Sequence, residues 1–252
     1  MLDPQFLFVV LATLAAFSVG MSKGGVPMIG MLSVPIMSFI MSPIAAAGLL
    51  LPVYVASDAF GVWAYRKEFS GRNLMILAPC AGLGVILGWA TASLVSEPVV
   101  TLFVALIGIA FCLNRWFGRT PKEARPADWP RGLFWGSLAG FTSFVTHAGA
   151  PPYQMFVLPQ RLPKMVYAGT STMFFAIVNA MKLPPYYLLG QLSLDNLKTA
   201  ALLAPVAVVA TFVGVKLTRI IPEVLFYRLI VATLFLLSLG LGWEALRALG
   251  VI

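Results

Sequence analysis

The amino-acid sequence predicts an all-α polytopic membrane protein with two inverted-topology repeats. Each repeat is expected to hold a broken, re-entrant helical hairpin followed by three full transmembrane helices. Hydrophobic residues make up 60% of the chain and charged residues only 10%, whereas soluble domains carry about 25% charged residues. The charged residues are separated by long apolar stretches, and motifs of the first half recur in the second half with opposite loop charge.

The repeats are indicated by motifs on either side of the polar, proline-bearing segment 115–132, which is typical of a linker. We therefore expect a first repeat at 1–118, a cytoplasmic linker at 119–131 and a second repeat at 132–252. Three motif pairs support this division: SKGGVP at 22–27 with HAGAPP at 147–152, FSGRNLMIL at 69–77 with LSLDNLKTA at 192–200, and SEPVVTLFVALIGIAF at 96–111 with PEVLFYRLIVATLFL at 222–236.

Each half contains five apolar segments, of which the leading two are short. A helix rises 1.5 Å per residue, so about 20 residues are needed to cross a hydrocarbon core of about 30 Å. The leading pairs are therefore predicted to be hairpins, and ten independent spans are the alternative. The predicted segments are 6–22, 26–41, 44–65, 73–94 and 98–114, then 132–146, 151–160, 165–190, 197–217 and 222–246.

The basic residues predict how the segments are oriented. Loops rich in lysine and arginine lie on the cytoplasmic side. Basic residues follow the third and fifth segments of the first half but the second and fourth of the second half, so the halves are predicted to be inverted, with both termini outside. Arg247 is the exception. The residues used are Arg66, Lys67, Arg72, Arg115, Arg119, Lys122, Arg125, Arg131, Arg161, Lys164, Lys216 and Arg219.

The first hairpin turn carries a lysine where hydrocarbon is expected. Gly24 and Gly25 allow a turn and a close backbone approach. Pro27 suits the first position of a new helix, whose free N–H groups would face the turn and favour an anion. Ser22 and Lys23 add a hydroxyl and a full positive charge. We therefore predict an anion site here, with snorkelling of Lys23 to a polar surface as the alternative.

The second hairpin repeats the pattern with His147, Gly149 and Pro151. These residues are predicted to contribute to the same substrate site. His147 could bind substrate or handle a proton, because its reference pKa is near 6.5. A structural hydrogen bond is the equal alternative for this histidine.

Polar residues in the third segments are the remaining candidates. Asp58 is placed near mid-membrane, where a carboxylate is a functional candidate. It could pair with Lys23, carry a coupling proton or brace the fold. Asn179 is its counterpart in the second repeat, and Lys182 lies one turn beyond it, either partnering a carboxylate or, as we favour, reaching the outer interface. Thr170 and Ser171 could offer hydroxyls to an anion or bond back to their own helix.

Several function classes lack support in the sequence. Motifs of hydrolases, dinucleotide-binding enzymes and P-loop proteins are absent, so we expect no enzyme and no cofactor. Cys80 and Cys112 lie in apolar spans and are expected to be small buried hydrophobes, and one histidine with two such cysteines suits no metal site. The pairs Gly84/Gly88 and Gly136/Gly140 are GxxxG motifs that predict close helix packing.

Net charge +8 comes from residues at segment ends and predicts no nucleic-acid partner. The start of the chain lacks the basic region of a signal peptide. The expected partners are a small anionic substrate and the lipid bilayer, and a homodimer is left open.

A resemblance follows from GMSKGGVP at 20–27, Asp58 in VASDAFGVWAYRKEF, and GTSTMFFAIVNAMKLPPYYLLG at 169–190. With LAGFTSFVTHAGAPPYQMFVLPQRLPK and RIIPEVLFYRLI, these stretches resemble the TauE/SafE sulfite exporters over nearly the whole chain. The resemblance implies a transporter of sulfite, sulfonates or related anions in the bacterial cytoplasmic membrane. A proton-coupled importer of organic anions and, more distantly, a membrane-embedded enzyme are the alternatives. Lys23 stands where many members have a longer glycine run, so the substrate could differ.

Overall fold

A computed structural model of the chain describes residues 3–117 and 123–251, and the secondary structure of this part is helical throughout. Residues 119–122 of the predicted linker lie outside the described residues. The α-helices are α1 (Pro4–Lys23), α2 (Ser33–Ser38), α3 (Pro43–Tyr65), α4 (Gly71–Ala90), α5 (Glu97–Phe117), α6 (Trp129–Thr146), α7 (Ala150–Val157), α8 (Lys164–Leu188), α9 (Leu194–Ile220) and α10 (Glu223–Ala248). Short 3-10 helices cover Pro27–Leu32 and Leu158–Gln160.

The ten predicted segments are confirmed as helical within a few residues. Serine caps begin several helices: Ser70 Oγ accepts from the Asn73 N–H, and Ser193 Oγ accepts from the Asn196 N–H. These two caps lie in the paired motifs at 69–77 and 192–200, so the recurring sequence adopts the same local structure in both halves. The repeat boundaries themselves remain a prediction.

Six helices in the described part are long and apolar enough to cross a membrane: α1, α3, α4, α5, α9 and α10. The chain is thus a multi-pass membrane protein. The expectation that α1 is short is wrong, since its 20 residues suffice for a span. Helix α8 has 25 residues but is not among the six, because its threonines, serine, asparagine and lysines lower its hydropathy.

The described residues pack into two compact units, each made of two separate stretches of chain. Unit 1 comprises Met1–Phe69 and Ala168–Ile221, and unit 2 comprises Ser70–Tyr167 and Pro222–Ile252. In unit 1, α1 and α3 pack on α9, and α1 also packs on the Pro27–Leu32 turn of helix and on α2. The last contact confirms that the chain folds back on itself after Lys23.

In unit 2, α4 packs along α6, α5 packs on α10, and α6 contacts α7. A Cβ added at Gly84 would lie 1.9 Å from the Ser137 backbone oxygen, and one at Gly140 would lie 2.1 Å from that of Ala81. The backbones of α4 and α6 therefore touch, which confirms the close packing predicted from the GxxxG motifs. Cys80 and Cys112 are free and buried in this unit, as expected.

Candidate functional site

The first hairpin turn, Gly24–Val26, is built on glycines because the backbone there is crowded. Gly25 has φ +111°, which side chains rarely adopt. A Cβ at Gly25 would lie 2.7 Å from the Tyr65 hydroxyl, and one at Gly24 would lie 2.4 Å from Gly214 Cα. Both glycines thus allow α1 to end directly against α3 and α9, so their places are explained by packing.

Side chains from three helices hold the backbone carbonyls at the end of α1. The Gly24 carbonyl accepts from the Tyr65 hydroxyl at 2.7 Å and from the Thr218 hydroxyl at 2.9 Å. The Lys23 carbonyl accepts from the Thr172 hydroxyl at 3.0 Å. The last carbonyls of a helix have no partner within it, so these hydroxyls satisfy groups that would otherwise be buried without hydrogen bonds.

We expect Tyr65→Phe to lower the free energy of unfolding by about 0.5–1.5 kcal/mol, the usual net contribution of one hydrogen bond. The loss stays small because Thr218 still donates to the Gly24 carbonyl. Chemical unfolding of the purified protein measures it. Tyr187→Phe, at a side chain that is 71% exposed, is the matched control, and an equal effect of both changes would contradict the role of Tyr65.

Lys23, the last residue of α1, forms a buried ion pair with Asp58 of α3. Lys23 Nζ lies 2.7 Å from Asp58 Oδ1, and both side chains are almost fully buried. The ammonium also lies 4.9 Å from the ring centre of Tyr54 and 5.9 Å from that of Phe175, distances at which an aromatic face attracts a cation. Of the two interpretations of Lys23, snorkelling to a polar surface is therefore wrong.

Asn179 of α8 donates to the second carboxylate oxygen, with its Nδ2 2.8 Å from Asp58 Oδ2. The structure thus brings together Asp58 and its predicted counterpart. Lys182, one turn further along α8, is fully buried. Its ammonium group is close enough to Lys23 and Asp58 to interact electrostatically with both. The favoured interpretation that Lys182 reaches the outer interface is therefore wrong. We refer to these four residues as the charged cluster: Lys23, Asp58, Asn179 and Lys182.

Next to the charged cluster lies a hydrogen-bonded group that the sequence did not single out. The Tyr54 hydroxyl donates to the Gly30 carbonyl at 2.7 Å and lies 2.9 Å from the Ser33 hydroxyl, which bonds to the same carbonyl at 2.7 Å. Tyr54 lies one helical turn before Asp58 on α3, so the two side chains share a face of the helix. This four-residue spacing is the sequence pattern that could have identified Tyr54.

The other predicted site residues of unit 1 are Ser22, which bonds within its own helix, and the buried Thr170 and Ser171. The Ser22 hydroxyl donates to the Val19 carbonyl of its own helix at 2.6 Å. Thr170 and Ser171 are fully buried. Among the described residues, the Ser171 hydroxyl has no hydrogen-bond partner. Ser171 lies four and eight positions before Phe175 and Asn179, and therefore on the face of α8 that contacts the charged cluster.

The helix predicted to start at Pro27 does start there, but it is not an α-helix. Pro27 does occupy a first helical position, but the six residues Pro27–Leu32 form a 3-10 helix, followed by only six α-helical residues. So short a run adds little of the dipole on which the anion prediction partly relied. The positive charge of this region comes from lysine side chains.

The second hairpin turn lies in unit 2 between α6 and α7. His147 caps the end of α6 with φ 56°, in the left-handed conformation that often ends helices, and it is buried. Gly149 precedes α7, and Pro151 lies in its first turn, as predicted. Gln154 was missed. It is fully buried, and neither amide atom has a hydrogen-bond partner among the described residues.

Comparison with known proteins agrees with the membrane architecture. The family described as Sulfite exporter TauE/SafE matches residues 10–241. The search of curated proteins and the search of solved structures found no match. Since the family match covers the charged cluster, both hairpin turns and eight of the ten α-helices in full, the chain belongs to the TauE/SafE sulfite exporter family.

Proposed function

We propose that the protein is a secondary transporter that exports sulfite or an organosulfonate across the bacterial cytoplasmic membrane, with its two inverted repeats alternating access to the substrate. The observation that carries this proposal is the buried charged cluster at the break between α1 and the Pro27–Leu32 helix. Ionisable residues buried among membrane spans are costly and mark substrate or ion pathways.

The charges of the cluster favour an anion. Among the described residues of unit 1, the buried charged side chains are two lysines, Lys23 and Lys182, and one aspartate, Asp58. With both lysines protonated, the cluster carries one net positive charge, which a bound monoanion would balance and a neutral or cationic substrate would not. The buried Ser171 hydroxyl is available to a sulfite or sulfonate oxygen from the same face of α8. The family description supports the sulfur anion.

The inverted repeats are supported by corresponding packing inside the two units. Helix α1 packs on α9 in unit 1, and α6 packs on α4 in unit 2. Under the predicted repeat, α6 is the counterpart of α1 and α4 is the counterpart of α9. Each leading hairpin helix therefore packs on the fourth segment of the other repeat, an exchange that a repeat-built transporter would produce.

Flux into and out of proteoliposomes tests the proposal. We expect saturable transport of sulfite or a monoanionic sulfonate such as methanesulfonate and weak transport of acetate. Lys182→Gln should lower the rate at least tenfold, because it removes the excess positive charge. Lys198→Gln, at an exposed surface lysine, is the matched control. Equal rates for acetate and the sulfur anions, or an active Lys182→Gln protein, would contradict the proposal.

The second candidate is a proton-coupled importer of small organic anions. The contact that favours it is the Lys23–Asp58 pair itself, because protonation of Asp58 would release Lys23 for an anion. Anion flux measured with a proton gradient imposed inward, outward or not at all distinguishes the importer from the exporter. Uptake driven by inward protons, and abolished in Asp58→Asn, supports the importer, whereas efflux that persists without a gradient supports the exporter.

A further inference from the structure

We infer that unit 2 carries a binding site for an anionic phospholipid, formed where α5 ends and α10 begins. Two cavities share a wall there. Four arginines contribute to the lining of one cavity, and the other is lined by three arginines, one glutamate and apolar or aromatic side chains. This site is separate from the charged cluster, and the inference does not depend on the transported substrate.

The first cavity, of about 220 Å³, is rich in positive charge. Its charged lining consists of Arg115, Arg125, Arg131, Arg161 and Glu123. Guanidinium groups present a fork of donors that matches phosphate oxygens. Within the described residues, Arg115 and Arg125 form no ion pair that would neutralise them. The cavity is therefore suited to a phosphate group.

The protein holds the guanidinium group of Arg131 in position and anchors the backbone of Arg125. Arg131 Nη1 lies 3.5 Å from Asp128 Oδ2, and Nη2 donates to the Met155 carbonyl at 3.2 Å. The central carbon of the guanidinium group lies 5.4 Å from the ring centre of Phe156. The backbone N–H of Arg125 donates to the Pro159 carbonyl at 3.0 Å. Fixed donors lose less conformational entropy when a ligand binds, so Arg131 is positioned in advance to contact an anion.

The second cavity has a volume of about 590 Å³ and shares Arg115, Leu158 and Arg161 with the first. This size falls within the range of about 300–1,000 Å³ typical of ligand pockets. Arg228 and Glu223 add charge, and the rest of its lining is apolar or aromatic: Trp116, Leu162, Val224, Tyr227 and Val231. The two cavities together thus offer a basic end and an adjoining apolar surface.

This combination fits a phospholipid better than a free anion. Five arginines and two glutamates line the two cavities. Even with Arg131 paired to Asp128, four arginines remain for two glutamates, and this excess favours a negatively charged headgroup. The apolar surface would be left empty by phosphate but is covered by an acyl chain. Four of the arginines belong to loops predicted to be cytoplasmic or to the ends of helices beside them, and basic pockets on that side bind anionic lipids.

Binding of a fluorescent phosphatidylglycerol to the purified full chain in uncharged detergent tests the inference. We expect saturable binding near one lipid per chain and none of phosphatidylcholine with the same acyl chains. Each arginine near an anionic headgroup contributes about fivefold in affinity, so Arg125→Gln with Arg228→Gln should weaken binding by about 25-fold. Arg247→Gln, an exposed arginine on the same helix as Arg228, should leave it unchanged.

Competition with inorganic phosphate distinguishes a lipid headgroup from free phosphate as the group bound by the arginines. We expect millimolar phosphate not to displace the lipid, and Val224→Trp, which narrows the apolar cavity, to weaken lipid binding without removing a charge. Gel filtration confirms that each variant is folded. Equal binding of both lipids, unchanged binding in the double arginine variant, an equal loss in Arg247→Gln, or displacement by phosphate would each overturn the inference.

Discussion

Replacing Lys23 with methionine is expected to lower the free energy of unfolding by about 3–5 kcal/mol, because it leaves the Asp58 carboxylate buried without its cation. Asn179 still donates to that carboxylate, but one neutral hydrogen bond does not replace an ammonium at 2.7 Å. Unfolding of the purified protein in detergent, followed by circular dichroism, measures the loss. Transport in proteoliposomes should be abolished as well.

The double variant Lys23→Met with Asp58→Asn separates the structural role of Lys23 from its role in binding. Both members of the pair are then neutral, and replacing a whole buried pair is often nearly neutral for stability. We expect most of the lost stability to return while transport stays absent, because no cation remains at position 23. If stability and transport return together, Lys23 acts only as the partner of Asp58. If stability does not return, the pair contributes more than charge balance.

Replacing Gly84 with leucine is expected to cost about 3 kcal/mol or more, the upper range for overpacking. The new Cβ would lie 1.9 Å from the Ser137 backbone oxygen and 2.7 Å from the Phe141 backbone nitrogen. Backbone atoms cannot rotate away as a side chain can, so α4 and α6 must separate along their contact. Loss of the folded fraction on gel filtration and a lowered melting temperature measure the effect.

Gly240→Leu is the matched control for this change. Gly240 also lies within a long apolar helix, α10, but a Cβ there meets no atom within 4 Å. We expect its stability to stay within about 0.5 kcal/mol of the wild type, as is usual for surface changes. Equal losses at both positions would mean that leucine is poorly tolerated in these helices generally, and that the α4–α6 contact is not the cause.

Residues close in sequence made the helices predictable. Uncharged stretches and glycine pairs such as Gly84/Gly88 each express a local requirement: burial in hydrocarbon or close backbone approach. The break after Lys23 was predictable for the same reason, because glycine and proline act through their own backbone angles. The failures at this level were the length of α1 and the 3-10 form of Pro27–Leu32.

The candidate site was predictable only as a set of residues. Lys23, Asp58, Asn179 and Lys182 were each chosen because a polar group in an apolar segment is costly, but their partners come from three different helices. Snorkelling of Lys23 and interfacial exposure of Lys182 were wrong for this reason: a lone segment has no partner to offer a buried charge.

The sequence by itself therefore determined that this protein is a helical membrane protein, where its helices run, and some of its buried polar residues, among them Lys23, Asp58 and Asn179. Only the tertiary structure decided that the carboxylate of Asp58 satisfies Lys23, that the Thr172 and Thr218 hydroxyls satisfy the end of α1, and that Gly24 touches Gly214. The physical reason is distance along the chain. Helix formation and capping depend on neighbours within about four residues, whereas the Lys23–Asp58 and Thr218–Gly24 contacts form only after packing has brought distant helices together.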